Sequence, residues 1–478
     1  MRRRKRRKFA WRWQVRYKIR RLHFIGIGGS GMCGLAEVMH NLGYAVSGSD
    51  VAEKPVLDRL RALGIVVNIG HDKRLVDKAD CAVYSSAVAE DNPERAEARA
   101  RGVPVIPRAQ MLGELLRFRP GIAVAGSHGK TTAASMIEAV LTAAGRDPTC
   151  VIGGLLHSGM HGRLGEGDFI VAEADESDAS FLHLQPAVAV LTNIDDDHLP
   201  AFGGSMDKLE NAFGGFLANL PFYGAAIVCA DDARAMKVAR MMPSLRVMTY
   251  GVSADAEVRA ENVRFCGMRS GFDLHLPGGE VCAVDLAAAG LHNVRNALAS
   301  CAVAFEIGAG IDDMRRGLSQ FGGVGRRLQE CGDYVCKNKD GKRRALLIDD
   351  YAHHPTEMDA SIAALRAAYP ERRLLLVFQP HRYSRTRDLL MRLAKSLSAA
   401  DEVILLDVYP AGEKPIAGAD SDTLAAKVSP KSHRAAGLAD AAGRISKVVQ
   451  DGDLLITMGA GNIGALPQML LAEGVCKK

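Results

Sequence analysis

The densest chemistry in this sequence lies in Gly126-Ser127-His128-Gly129-Lys130-Thr131-Thr132. A glycine-rich turn that opens a helix offers backbone amides to phosphate oxygens. A lysine there neutralises the terminal phosphates, and a threonine hydroxyl reaches a divalent cation. Val124 stands where the usual phosphate loop has its first glycine, so this loop is a variant. Two acidic strings follow downstream: Glu173-Ala174-Asp175-Glu176-Ser177-Asp178 and Thr192-Asn193-Ile194-Asp195-Asp196-Asp197-His198. Each comes directly after an apolar run. Acids at the C-terminal end of a parallel strand face the crevice where ligands sit. With a phosphate loop upstream, the first string is a natural source of a magnesium ligand, and His198 suits a metal or phosphate role. Read singly, the strings fit a solvated loop and a structural histidine equally well.

A second glycine loop, Gly26-Ile27-Gly28-Gly29-Ser30-Gly31, has Asp50 nineteen residues beyond its last glycine. That spacing fits the dinucleotide fingerprint: glycines admit a diphosphate at a helix N-terminus, and the acid binds a ribose or base. A tight turn without ligand is the competing reading. Three polar clusters lie nearer the C-terminus: Asp349-Asp350-Tyr351-Ala352-His353-His354-Pro355-Thr356-Glu357, Gln379-Pro380-His381-Arg382-Tyr383-Ser384-Arg385-Thr386 and Gly412-Glu413-Lys414. Arg382 and Arg385 would clamp a carboxylate or phosphate with paired donors. Plain surface loops are the alternative.

Loops of this kind converge only if strands deliver them in one direction. The pattern predicts strands at 23–27, 45–50, 64–68 and 81–85, with a helix over 32–42 after the first glycine loop. A second strand–loop–helix unit opens at Gly121, with strands at 169–172 and 187–192. A third follows the glycine-rich Phe321-Gly322-Gly323-Val324-Gly325, with strands at 345–348, 373–378, 402–406 and 453–457. Strands alternating with helices imply parallel sheets covered on both faces, hence an α/β protein of three domains. The expected divisions are a basic tail (1–21), an N-terminal domain (22–108), a central domain (109–325) and a C-terminal domain (326–478).

Composition narrows the class. The 478 residues are 48% hydrophobic and 24% charged, as in soluble globular proteins. No apolar run reaches the ~18 residues that span a bilayer. The ten cysteines are scattered, Cys331 and Cys336 being the closest pair, which reads as reduced thiols in a cytoplasmic protein. The formal charge is +6, but residues 1–21 hold twelve Lys or Arg and no acid, so the remainder carries 6 − 12 = −6. Nothing in that body points to nucleic acid. The tail lacks the apolar stretch of a secretory signal. It reads as a solvated extension, with weak contact to an anionic membrane through its bases, Trp11 and Trp13 as the sharper alternative.

Taken together, the strings HFIGIGGSGM, GSHGKTT, EADESDASF, TNIDDDH, HNVRNALA, GVGRR, DDYAHHPTE and FQPHRYSRT resemble the ATP-dependent Mur ligases of peptidoglycan synthesis. The resemblance runs from about His23 to Gly464. Two departures stand out: Leu199-Pro200-Ala201 after the histidine, and Ala352 where the family commonly has glycine. The resemblance implies an N-terminal Rossmann-like domain for a UDP-sugar, a central phosphate-loop domain with a parallel sheet for ATP, and a C-terminal Rossmann-like domain for an incoming amino acid. It implies a ligase that joins L-alanine to the carboxylate of UDP-N-acetylmuramate through an acyl phosphate, with ATP and Mg2+, as monomer or homodimer. The phosphate loop Gly126–Thr132, with Asn293 and Asn296, would bind ATP. Thr131, Glu173 and His198 would hold magnesium, while Lys130, Arg327 and Asp350 complete the catalytic set. Gly28, Gly29, Gly31, Asp50, His71, Ser85 and Ser86 fall on the UDP-sugar side. Tyr351, His353, His381, Arg382 and Arg385 fall on the amino-acid side. A nicotinamide-dependent oxidoreductase would leave GSHGKTT unexplained. A sister ligase that attaches a preformed peptide and a non-enzymatic nucleotide scaffold are further alternatives.

Overall fold

The computed structural model describes residues 19–153, 162–338, 341–429 and 432–474. The basic tail up to residue 18 lies outside them. The chain divides into two compact units, one running to Phe118 together with His161–Leu164, the other holding the rest.

In the first unit, five parallel strands lie in the order Val66–Ile69, Ala45–Asp50, Arg21–Ile25, Cys81–Tyr84, Val105–Pro107. The central strand is apolar and buried from Leu22 to Ile25, as a strand covered on both faces must be. Strand order reverses beside it, so its C-terminal end and that of Cys81–Tyr84 flank the crevice where such sheets bind ligands. The glycine loop leaves that end and opens helix Ser30–Asn41. Two expected boundaries move. The first strand already begins at Arg21, because Asp80 accepts hydrogen bonds from the Arg20 and Arg21 amides at 2.8 and 2.9 Å. The expected break after residue 108 falls at the start of helix Arg108–Leu116, whose buried face (Ala109, Leu112, Leu115) belongs to this unit.

The second unit contains two sheets. From the Val281–Leu286 edge, the larger runs through Arg269–His275, Val258–Cys266, Val247–Gly251, Ala225–Cys229, Val188–Leu191, Gly121–Ala125 and Ile170–Glu173 to Thr149–Val151. Strands from Val247–Gly251 onward are parallel, as anticipated. The meander Val258–Leu286 is antiparallel, and the alternation rule did not foresee it. Helices Lys130–Ala143 and Leu291–Glu306 bury their apolar faces in the core of this sheet. In the smaller sheet, Gly341–Asp350, Leu454–Met458, Leu374–Phe378, Glu402–Leu406 and Ser432–Ala435 are parallel, and Gln329–Asn338 pairs antiparallel with Gly341–Asp350. Two apolar clusters sandwich it. Among the described residues, no helix is long and apolar enough to cross a membrane.

Candidate active site

Strand Gly121–Ala125 delivers the phosphate loop, and helix Lys130–Ala143 begins at Lys130. Its amide end and dipole therefore face the loop, which is the arrangement that binds anions. The loop is fastened to the neighbouring string Thr192–Asp195. Thr192 donates to the His128 carbonyl at 2.7 Å, and the His128 amide donates to Asn193 at 2.9 Å. The Asp195 amide donates to Ser127 Oγ at 2.8 Å. Gly126 sits at φ 130°, and a Cβ there would lie 2.1 Å from Thr192 Oγ1, so no other residue fits. A Cβ at Gly129 (φ 83°) would meet Asn296 Oδ1 at 2.7 Å, which puts that predicted nucleotide-binding asparagine against the loop.

Lys130 folds back over its own loop. Its Nζ donates to the Gly126 carbonyl at 2.6 Å and pairs with Glu176 at 2.9 Å. Burial opposes its charge, but Glu176, Asp175 and Glu173 hold the ammonium above its ordinary value. Burial pushes Glu176 up to about 7. Glu173 ends the strand Ile170–Glu173 and accepts from the Thr131 hydroxyl. Burial raises it as well, and its Oε1 is buried without a hydrogen-bond partner among the described residues. A buried carboxylate oxygen left open beside a threonine hydroxyl suits a hard divalent cation. His198 has a left-handed backbone (φ 59°), and burial lowers its pKa, leaving the neutral imidazole that ligates metals.

The three aspartates before His198 engage side chains of the loop and of later helices. Asp195 Oδ2 accepts from His128 Nε2 at 2.9 Å and from Thr356 Oγ1 at 2.6 Å. Asp197 accepts from Arg385 at 2.9 Å. His128, Asp195 and His354 bring potential ligand atoms within 4.8 Å of one another, yet His128 and Asp195 are engaged with each other. Asp195 thus joins His128 of the phosphate loop to Thr356, and Asp197 meets both Arg385 and, at 3.5 Å, His198.

The two arginines of the linker divide the work. Arg326 is tethered by Asp349 at 2.9 Å and the Gly459 carbonyl at 2.6 Å. Arg327 is free of that tether and meets Glu357 at 3.4 Å. It lines a cavity of about 370 Å3 with His292, Asn293, Asn296, Asp231 and Asp350. Asp350 accepts from Ser361 Oγ and the Ala352 amide, and burial raises it to about 6. Burial also holds His353 and His381 down at about 4, so both are neutral near pH 7. Their rings lie 5.8 Å apart, Tyr351 meets His353 edge-on, and Tyr409 stacks on His381. Arg382 is exposed at φ 69° and heads helix Tyr383–Asp388.

In the first unit, Asp50 is turned onto the glycine loop. It accepts from the Gly28 amide at 2.8 Å and pairs with Lys54 at 3.0 Å. Gly29 precedes the helix and Gly31 lies in its first turn, against the Arg108 guanidinium. His71 Nδ1 lies 3.1 Å from Ser49 and 2.9 Å from Glu94, and His23 lies 2.8 Å from the other Glu94 oxygen. Burial would raise Glu94, but His23, Ser49 and His71 hold it below its ordinary value. Ser85 Oγ accepts the Ala87 amide at 3.4 Å, and Ser86 is exposed. Sequence reading gave no role to Glu94, Glu176 or Glu357. Glu176 and Glu357 stood inside quoted motifs; nothing marked Glu94.

Comparison with known proteins fits this geometry. Profiles of the Mur ligase family catalytic domain, middle domain and glutamate ligase domain match residues 21–120, 124–304 and 326–461. The chain belongs to the Mur ligase family. The UDP-N-acetylmuramate–L-alanine ligase of Chromobacterium violaceum is 50% identical over 467 residues, covering 96% of this chain and 99% of the relative. The enzyme of that description from Xanthomonas euvesicatoria is 49% identical over 95% of each chain. Among solved structures, the UDP-N-acetylmuramate–alanine ligase of Thermotoga maritima superposes with a TM-score of 0.79 at 26% identity, covering 95% of this chain and 98% of that one. The expected three-domain α/β Mur architecture is thereby established.

Proposed function

We propose that this chain joins L-alanine to the carboxylate of UDP-N-acetylmuramate, with ATP converted to ADP and phosphate, in peptidoglycan precursor synthesis. The observation that carries the reading is full-length identity of 50% to a ligase of that description. The phosphate loop and its buried acids supply the parts the chemistry needs.

A carboxylate is a poor acyl donor. Phosphoryl transfer from ATP makes it an acyl phosphate; the alanine amine attacks the carbonyl, and phosphate leaves. Lys130 neutralises charge developing on the transferred phosphoryl group, by exchanging Glu176 and its own loop carbonyls for phosphate oxygens. Arg327 supplies a second positive charge from the linker, and Asn293 and Asn296 line the nucleotide cavity. Thr131, Glu173 and His198 would hold magnesium, which supplies charge neutralisation at the phosphates. Tyr351, His353, His381 and Arg385 would form the amino-acid side, where neutral imidazoles leave the incoming ammonium unrepelled. On the UDP-sugar side, the glycine loop would take the diphosphate, with Asp50 and His71 bordering it. The reaction would run in the cytoplasm on small-molecule substrates, without nucleic acid; the free cysteines among the described residues are consistent with a reducing compartment.

The test is phosphate release with UDP-N-acetylmuramate, ATP and single amino acids. Release with L-alanine but not with a preformed tripeptide is expected. Release with tripeptide alone identifies the peptide-attaching sister activity, and NADH oxidation without phosphate release overturns the ligase reading.

A further inference from the structure

The amino-acid side and the phosphate loop stand on different sheets, joined covalently through the linker after Phe321. Gly323, Arg326 and Leu328 in that linker all have positive φ, which for Arg326 and Leu328 is a conformation the surroundings must hold, as Asp349 and the Gly459 carbonyl do for Arg326. An amine and an acyl phosphate must nonetheless meet within ångströms. Non-covalent contacts must therefore set the approach.

Several of those contacts fall on Asp195, Asp196 and Asp197, three consecutive residues that each reach a different helix of the C-terminal part. Asp195 takes Thr356 at the start of helix Pro355–Ala368. Asp197 takes Arg385 on helix Tyr383–Asp388. Asp196 takes Arg392 on helix Leu390–Leu397, with Nη1 at 2.8 and 2.7 Å from its two oxygens. Arg392 Nη2 also reaches Thr356 Oγ1 at 3.3 Å, tying two of the contacts together. Asp195 and Asp197 are entangled with His128 and Arg385 of the candidate site. Asp196 and Arg392 touch neither of these, although Asp196 Oδ1 also lies 3.6 Å from His354 Nε2, and their side chains are 36% and 43% exposed.

We propose that Asp196 and Arg392 are positioning residues for the ligase reaction: their ion pair registers the C-terminal sheet against the phosphate loop so that Arg385 and His353 reach the acyl phosphate. The kinetic part of this proposal rests on the ligase reading; the geometric part does not.

A charge exchange tests both. Asp196→Arg and Arg392→Asp place like charges in contact. Each is expected to raise the KM for L-alanine about fivefold, with kcat changed less, because an exposed pair is weak but its reversal is repulsive. The double exchange restores the pair and should return KM to within about twofold of the parent. Subtilisin cleavage between Phe321 and Gly325 gives a reading that needs no activity: faster in each single variant, and back to the parental rate in the double. Thermal melting excludes a folding failure as the cause. Unchanged KM and cleavage in the single variants, or a double variant no better than the worse single, would overturn the clamp. Parent protein that releases no phosphate with any amino acid overturns the ligase reading, while the cleavage series still decides the clamp.

Discussion

Lys130 pairs with Glu176 and rests on carbonyls of its own loop, so the charge that phosphate needs is already held in place by weaker partners. Lys130→Ala should cut phosphate release by roughly 10²–10³-fold, the scale for losing one preorganised donor. The sugar nucleotide is assigned to the first unit, so calorimetry should find its binding intact in that variant; lost binding would contradict the assignment. Glu173 makes a different case. Its Oε1 is buried without a hydrogen-bond partner among the described residues and burial raises its pKa, so a divalent cation would suit it. Glu173→Gln keeps the shape and removes the charge. The magnesium concentration for half-maximal turnover should rise roughly tenfold or more. An unchanged magnesium titration would remove Glu173 from the metal set.

At the scale of elements, the string Thr192–Asp197 turns from the phosphate loop toward the C-terminal helices, and His128 lies at that junction. Burial works against its charge, but Asp195 and Glu357 raise it to about 9. A histidine raised above its ordinary value of 6.5 contributes stability that is complete below 6.5 and lost as pH climbs through about 9. The groups facing it are Asp195, Glu357 and His354; the two acids stay ionised over that range, and burial lowers His354, so it stays neutral. Melting temperature should therefore fall between pH 7 and 9.5 by roughly 5 °C, or about 2 kcal/mol, through this group. The drop should vanish in His128→Gln; an equal drop in that variant would place the titration elsewhere. These elements also mark how far sequence reading reached. Each strand-to-loop junction was legible because apolar runs followed by glycine or acid have few other uses. The meander Val258–Leu286 was not, since its strands alternate buried and exposed residues as no parallel strand here does. Phosphate-loop residues were legible because Gly-Lys-Thr at a helix start has one dominant chemistry. The arginine partners of the Asp195–Asp197 run were not legible, because a carboxylate string carries no mark of an arginine 188 or 196 residues away.

For the whole molecule, charge is the feature with a consequence outside the site. Residues 1–18 hold ten Lys or Arg and no acid, so a chain of net +6 leaves 6 − 10 = −4 on everything else. Residues 20 and 21 belong with the fold: Asp80 accepts both amides and pairs with the Arg21 guanidinium at 2.6 Å. Deleting residues 1–18 should thus leave turnover and melting temperature nearly unchanged, whereas deletion through Arg21 removes the start of the first strand and should lower the melting temperature. An anionic bilayer would attract these ten bases by about 1 kcal/mol each near the surface, with Trp11 and Trp13 suited to the interface. Full-length chain should then sediment with phosphatidylserine-containing vesicles at low salt and be released as salt rises, because screening shortens the reach of exposed charge to about 8 Å at physiological ionic strength. The chain lacking residues 1–18, with its net −4, should stay in the supernatant at every salt concentration. Equal sedimentation of both forms would assign the contact to the folded body, and a large loss of turnover on removing residues 1–18 would make the tail part of the enzyme.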